Sequence, residues 1–317
     1  NDLIAAKGVC LANSSYLREA LALYQAPVHL NTPMGMPRRR NPSGSKERSM
    51  LYHAKNATLW AGDISMDYVR FGNGPEPLVV IPGLGDGLKT VKGAALPLAV
   101  MYRGMARSPY TVYVLSRRAP MPPGFTTADM GEDVYLAMGL LGIQRADVVG
   151  ISQGGMIAQH LALRHPEAVK KLVLAVTICR QNPLIQQVIG RWAGLAQQGD
   201  YRAILLDTAD RSFTPPYLKK VRWAYGLFGS LLRPRDPQRY PIMARACLSH
   251  DAYAQLPAIA CPTLVIGGKQ DAILGYEGAL DLHDRIPGSR LLLFPDHGHG
   301  LYEEAKDFLP QVLAFLA

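Results

Sequence analysis

The residues with the clearest chemistry lie in Gly150-Ile-Ser-Gln-Gly154. They follow the apolar run Asp147-Val-Val and precede Gly155-Met-Ile-Ala-Gln-His-Leu-Ala-Leu-Arg, the pattern of a strand, a sharp turn and a helix. A serine at the apex of so tight a turn needs small neighbours, because a Cβ at Gly150 or Gly154 would crowd the backbone where strand and helix meet. Ser152 is thereby pushed out at the carboxyl end of the strand, where its hydroxyl can act as a nucleophile. The helix starting at Gln153 aims its N-terminal amides at any oxyanion forming beside that serine.

A serine is a poor nucleophile without a base, and the base needs a third group to orient it. Asp296-His-Gly-His-Gly-Leu-Tyr-Glu-Glu follows the apolar run Arg290-Leu-Leu-Leu-Phe, so both His297 and His299 lie just past a strand's carboxyl end. His299 is favoured, because Gly298-His299 followed by Glu303 and Glu304 suits a loop that hands over to a helix N-terminus. A metal held by Asp296, His297 and His299 lacks further ligands in the sequence. The carboxylate is expected at Asp271, which ends Gly267-Gly-Lys-Gln-Asp271 just beyond the run Thr263-Leu-Val-Ile. Asp271 could also cap a helix around Tyr276 to His283. The rival position, after Lys171 to Val176, reads Thr177-Ile-Cys-Arg and has no acid.

A tetrahedral oxyanion needs two donors. Leu78-Val-Val-Ile-Pro-Gly83-Leu84-Gly85-Asp86-Gly87 ends a strand in a Gly-rich turn, so the backbone amide of Leu84 is expected to partner that of Gln153. The turn lacks both G-x-G-x-x-G and G-K-[ST], and Asp86 beside it further disfavours a phosphate. This chemistry requires no cofactor.

These groups need a scaffold that brings strand ends together. From about Asn56, short β-rich runs alternate with helical stretches: Thr58 to Ala61, Asp67 to Phe71, Leu78 to Ile81, Thr111 to Leu115, Asp147 to Ile151, Lys171 to Val176, Thr263 to Ile266 and Arg290 to Phe294. Gly62-Asp63 signals a hairpin between the first pair, and the later runs are nearly all apolar, as strands buried on both faces must be. The expected fold is α/β, a mostly parallel eight-stranded sheet flanked by helices. Alternation stops between about Ile178 and Gln255, where helix-like segments and the aromatics Trp192, Tyr201, Phe213, Tyr217, Trp223, Tyr225, Phe228 and Tyr240 dominate. Residues 1–55 read as a short helix near Leu17 to Tyr24 followed by a basic Pro/Gly-rich arm with Arg38, Arg39, Arg40, Lys46 and Arg48.

At 317 residues with 48% hydrophobic content, the chain can bury a large core. Its net charge of +9 is unevenly spread: +5 in residues 1–55, +6 in 178–255 and −2 in the remainder. The sheet-forming part is therefore not basic, and the arm has no interleaved aromatic platform, so nucleic acid is not an expected partner. The charge of the insertion suggests anionic substrates or anionic interfaces. The apolar run from Gly93 to Tyr102 is too short to span a bilayer before Arg103 ends it, so no transmembrane segment is expected. Cys10, Cys179, Cys247 and Cys261 form no C-x-x-C pair, which makes a reducing, cytoplasmic compartment the expectation. A chain that begins at Asn1 leaves room for a targeting segment ahead of it.

The passage from Gly150 through Pro166-Glu167, with Lys269-Gln-Asp271 and Gly298-His299, resembles the nucleophile elbow, acid loop and histidine loop of the α/β-hydrolase superfamily. The similarity runs from about Asn56 to Ala317, and the chain order Ser152, Asp271, His299 is the order of that fold. The resemblance implies a Ser152–His299–Asp271 triad, a domain over 56–317 and a helical cap at about 178–255. It departs from the family at Pro82-Gly83, where many members have His-Gly, and at Ser116-Arg-Arg-Ala-Pro-Met-Pro, where many have Arg-Gly-x-Gly. The expected activity is carboxylic ester hydrolysis on an ester or thioester with a hydrophobic acyl part. The same triad serves C–C bond hydrolases, aminopeptidases and acyltransferases, while Ser rather than Asp at the elbow argues against dehalogenases and epoxide hydrolases. A non-catalytic scaffold of this fold or a polyanion-binding protein are the readings from other classes.

Overall fold

A computed structural model describes residues 51–231 and 234–317. The expected N-terminal helix and most of the basic arm lie outside the described residues.

Eight strands among the described residues form a single sheet in the order β1-β2-β4-β3-β5-β6-β7-β8. They are β1 (Lys55–Ala61), β2 (Ile64–Gly72), β3 (Glu76–Ile81), β4 (Tyr110–Ala119), β5 (Ala146–Ile151), β6 (Val169–Ala175), β7 (Thr263–Gly268) and β8 (Arg290–Phe294). Each contains or overlaps one of the apolar runs read from the sequence. β1 and β2 form the hairpin, turning through Gly62 at φ +57°, and β2 runs antiparallel to β4. From β4 through β8 every neighbouring pair is parallel. β5 and β7 are buried along their whole length, which is why they read as unbroken apolar runs rather than alternating ones.

Alternate residues of each strand feed two separate cores. Val79, Ile81, Val148 and Leu172 face one, packed with Met130 and Ile157. Leu78, Val80, Val149 and Val173 face the other, packed with Met105 and Phe308. The helices that cover the sheet are α1 (Ala95–Met101), α2 (Arg103–Ala106), α3 (Thr127–Leu140), α4 (Gln153–Arg164), α9 (Glu277–Arg285), α10 (Leu301–Glu304) and α11 (Phe308–Leu316). α3 starts at a capping box: Asp129 N donates to Thr126 Oγ1 at 3.1 Å, and Thr126 N donates to Asp129 Oδ2 at 2.9 Å. The helix start expected after the His299 loop is α10, which is distinct from α11.

Between β6 and β7 the chain leaves the sheet for α5 (Pro183–Gln197), α6 (Tyr201–Ser212), α7 (Pro215–Leu231) and α8 (Arg239–Leu248). Asn182 and Asp200 cap α5 and α6 by accepting from Ile185 N and Ala203 N, each at 2.9 Å. No helix among the described residues is long and apolar enough to cross a membrane.

β3 lies between β4 and β5, so the chain moves outward in opposite directions from it. In open α/β sheets ligands bind at such a reversal, outside the carboxyl ends of the strands, here those of β3 and β5. Leu84 and Ser152 both follow those strand ends.

Candidate active site

Ser152 joins β5 to α4 with φ +54° and ψ −120°. Such a conformation costs a non-glycine residue about 1–3 kcal/mol and persists only when its surroundings hold it. Here they do. Ser152 N donates to Ala175 O at 2.9 Å, and Gly155 N donates back to Ser152 O at 2.8 Å. A Cβ on Gly150 would lie 2.5 Å from Gly154 O, and one on Gly154 would overlap the Ile81 carbonyl. The two glycines flanking the serine are therefore fixed by backbone approaching backbone.

His299 reaches the serine from the loop after β8. Its Nε2 is 3.0 Å from Ser152 Oγ, and its Nδ1 is 2.8 Å from Asp271 Oδ2. His299 and Asp271 are buried while Ser152 keeps partial access to solvent. The other oxygen of Asp271 accepts from the amides of Ile273 and Leu274, each at 2.9 Å. Asp271 thus caps its own turn and not the helix α9, which begins at Glu277. His297 points elsewhere: its ring meets Phe294 edge-on at 5.8 Å, and its carbonyl accepts from Gln270 N.

Gly83 presses the end of β3 against the serine, since a Cβ there would sit 3.3 Å from Ser152 Cβ. The next residue, Leu84, opens a 3-10 turn (Leu84–Gly87), and Gln153 is the first residue of α4. Amides at these first positions have no acceptor inside their own helical turns.

A buried charged cluster beneath this turn is absent from the sequence reading. Asp86 accepts from Ser116 Oγ at 2.5 Å, Arg117 N at 3.0 Å and Arg239 Nη2 at 2.7 Å. Arg117 in turn donates to the Pro82 carbonyl and to Gln153 Oε1, bridging the two segments that carry Leu84 and Gln153. Burial pushes the Arg117 guanidinium down to about 10, with Asp86 opposing the shift, so it stays charged at neutral pH. Asp86 is therefore neutralised and inaccessible rather than a bare negative charge on the turn. Two arginines at the end of the apolar strand β4 were the available signal, but Arg239 comes from the distant helix α8.

The inserted helices touch the same loops. α8 packs on the 3-10 turn, where a Cβ on Gly87 would meet Met243 Sδ and Tyr240 Cα at 3.1 Å. Ser212 O accepts from Gly300 N at 2.9 Å, and Thr214 N donates to Glu304 Oε2 at 3.1 Å. A cleft of about 330 Å³ lies between these segments, lined by Arg211, Phe213, Thr214, Pro215, Gln270 and Gly298 among others. Of the aromatics read from the insertion, Trp192, Tyr201, Phe213 and Tyr240 are buried and Trp223 is exposed.

Residues 76–205 match the family model described as alpha/beta hydrolase fold, and residues 248–316 match one described as TAP-like protein. The chain is 30% identical over 207 residues to a 2-hydroxymuconate semialdehyde hydrolase of Pseudomonas putida, covering 62% of this chain and 72% of that protein. It is 25% identical over 247 residues to 3-oxoadipate enol-lactonase 2 of Acinetobacter baylyi, covering 76% and 88%. A solved hydrolase from Pseudomonas aeruginosa superposes with a TM-score of 0.70 at 27% identity, covering 83% of this chain and 98% of that one. With an eight-stranded, mostly parallel sheet and hydrolases among the relatives it matches, the chain belongs to the alpha/beta hydrolase fold family.

Proposed function

We propose that this protein is a serine hydrolase acting on carboxylic esters, with Ser152 as nucleophile, His299 as base and Asp271 as its orienting acid. The observation that carries the reading is the unbroken row of hydrogen bonds from Ser152 Oγ through His299 to Asp271 Oδ2. With Nδ1–H donated to the carboxylate, Nε2 is left to accept the Ser152 proton as Oγ attacks the acyl carbon. The Leu84 and Gln153 amides stabilise the oxyanion, and the fixed N-terminus of α4 adds its dipole. As the tetrahedral adduct collapses, His299 returns the proton to the leaving alcohol. It then deprotonates the water that frees the acid from Ser152. The inserted helices act as a cap over 178–255, excluding water and favouring a hydrophobic acyl part.

A second reading, a semialdehyde rather than an ester as substrate, is favoured by the 30% identity to the 2-hydroxymuconate semialdehyde hydrolase. The test is a fluorophosphonate probe and a short-chain chromogenic ester applied to the wild type and to Ser152→Ala. The wild type should be labelled and should turn the ester over, and the variant should do neither. A wild type that does neither overturns the reading, and labelling that survives in Ser152→Ala puts the nucleophile elsewhere.

A further inference from the structure

Helix α7 has an inner and an outer side. Its inner side is fixed to the rest of the insertion: Tyr217 and Tyr225 pack against Phe213 at 4.9 and 5.9 Å between ring centroids. A Cβ on Gly229 would lie 2.9 Å from Arg202 Cα, so α7 and α6 are in close contact. On the outer side Pro216, Lys219, Lys220, Trp223 and Leu227 are all exposed, at spacings of three and four that align them in one stripe. Trp223 is 69% exposed and Leu227 52%, one turn apart.

Single exposed apolar residues are ordinary, so the meaning lies in what accompanies these two. Helix α7 contains no Asp or Glu. Arg222 is paired with Asp210 at 2.7 Å, whereas Lys219 and Lys220 make no ion pair among the described residues. An indole and a leucine flanked by free ammonium groups match an interfacial helix, whose apolar side enters the boundary between headgroups and acyl chains while its lysines meet lipid phosphates. The charge distribution agrees, with +6 on residues 178–255 and −2 on the sheet-forming remainder. The stripe also begins beside the cleft, because Pro215 at the start of α7 lines it together with Gly298, the neighbour of His299.

We propose that the outer face of α7 docks on anionic lipid surfaces, Trp223 and Leu227 inserting and Lys219 and Lys220 binding headgroup phosphates. The inference does not depend on the chemistry at Ser152, and its test reads no activity. The full chain is sedimented with vesicles of phosphatidylcholine alone or mixed equally with phosphatidylglycerol. Binding is expected to the mixed vesicles and to be lost at about 0.5 M salt. Trp223→Ser/Leu227→Ser and Lys219→Gln/Lys220→Gln should each weaken it about tenfold. In a Trp60→Phe background, brominated lipid should quench the emission of Trp223. No binding at low salt overturns the proposal. Binding unchanged in either double variant overturns it too, and moves the attachment to the basic segment 38–48. Self-association that depends on Trp223, without vesicle binding, would make this face an interface between copies instead.

Discussion

Arg239 Nη2 lies 2.7 Å from Asp86 Oδ2, and both side chains are almost wholly buried. The contact joins helix α8 of the insertion to the turn that carries the Leu84 amide. Arg239 also donates to the carbonyls of Arg117 and Arg118, at 3.0 and 2.5 Å. The position of the turn is thus held by the insertion as well as by the sheet.

Removing the carboxylate should be costly. Asp86→Ala leaves two buried guanidinium groups without their counter-charge, and a loss of about 3–5 kcal/mol in urea unfolding is expected. If the variant unfolds at the same urea concentration as the wild type, the cluster has no structural role.

The two histidines of the last loop should separate cleanly. His299→Ala is expected to lower kcat at least about a thousandfold, and His297→Ala to leave kcat/KM within about threefold. Equal losses in both variants would contradict the assignment of the base.

The two oxygens of Asp271 have different jobs, so two substitutions should differ. Asp271→Asn keeps an oxygen for the Ile273 and Leu274 amides and should lower kcat about ten-thousandfold with little loss of stability. Asp271→Ala should lower kcat comparably and in addition cost about 1–3 kcal/mol, because both amides lose their acceptor. Thermal unfolding of the pair checks the difference.

At Gly154 the demand is steric. The Cβ of Gly154→Ala would overlap the Ile81 carbonyl, backbone against backbone, so a loss of about 3 kcal/mol or failure to accumulate as folded protein is expected. Gly190→Ala, inside α5 where a Cβ meets open space, is the control and should stabilise by about 0.5–1 kcal/mol.

The stability of the fold should fall as the pH drops from neutral. His160 on α4 and His250 after α8 meet edge to face at 5.2 Å between centroids. Burial pushes His160 down to about 4 and His250 to about 3, from 6.5. Below pH 6.5 the unfolded chain binds protons on these imidazoles that the native state refuses, so stability rises with pH across the window and is lost as pH falls through it. Each histidine contributes a slope of at most about 1.4 kcal/mol per pH unit. His250→Asn should flatten the dependence between pH 6.5 and 4, and an unchanged slope in urea titrations would rule this histidine out as its source.

What is local in this molecule is legible in its sequence. Buried parallel strands announce themselves as apolar runs because both faces are covered, and Gly150 marks the turn at Ser152 because the conflict it relieves, with Gly154 and Gly155, acts over a few residues, whereas the one at Gly154 is with Ile81 on β3. The order of Ser152, Asp271 and His299, after β5, β7 and β8, is likewise written along the chain. The preference for His299 over His297 rests on the helix start that follows it, but the separation of the two rings is not written there, since neighbours two residues apart share a loop and only its folded path sends one ring to Ser152 and the other to Phe294. Nor is the pairing of Asp86 with Arg239, whose side chains are 153 residues apart. No periodicity or turn rule connects such residues. The packing of α8 on the end of β3 brings them together, and burial then requires each charge to find its partner.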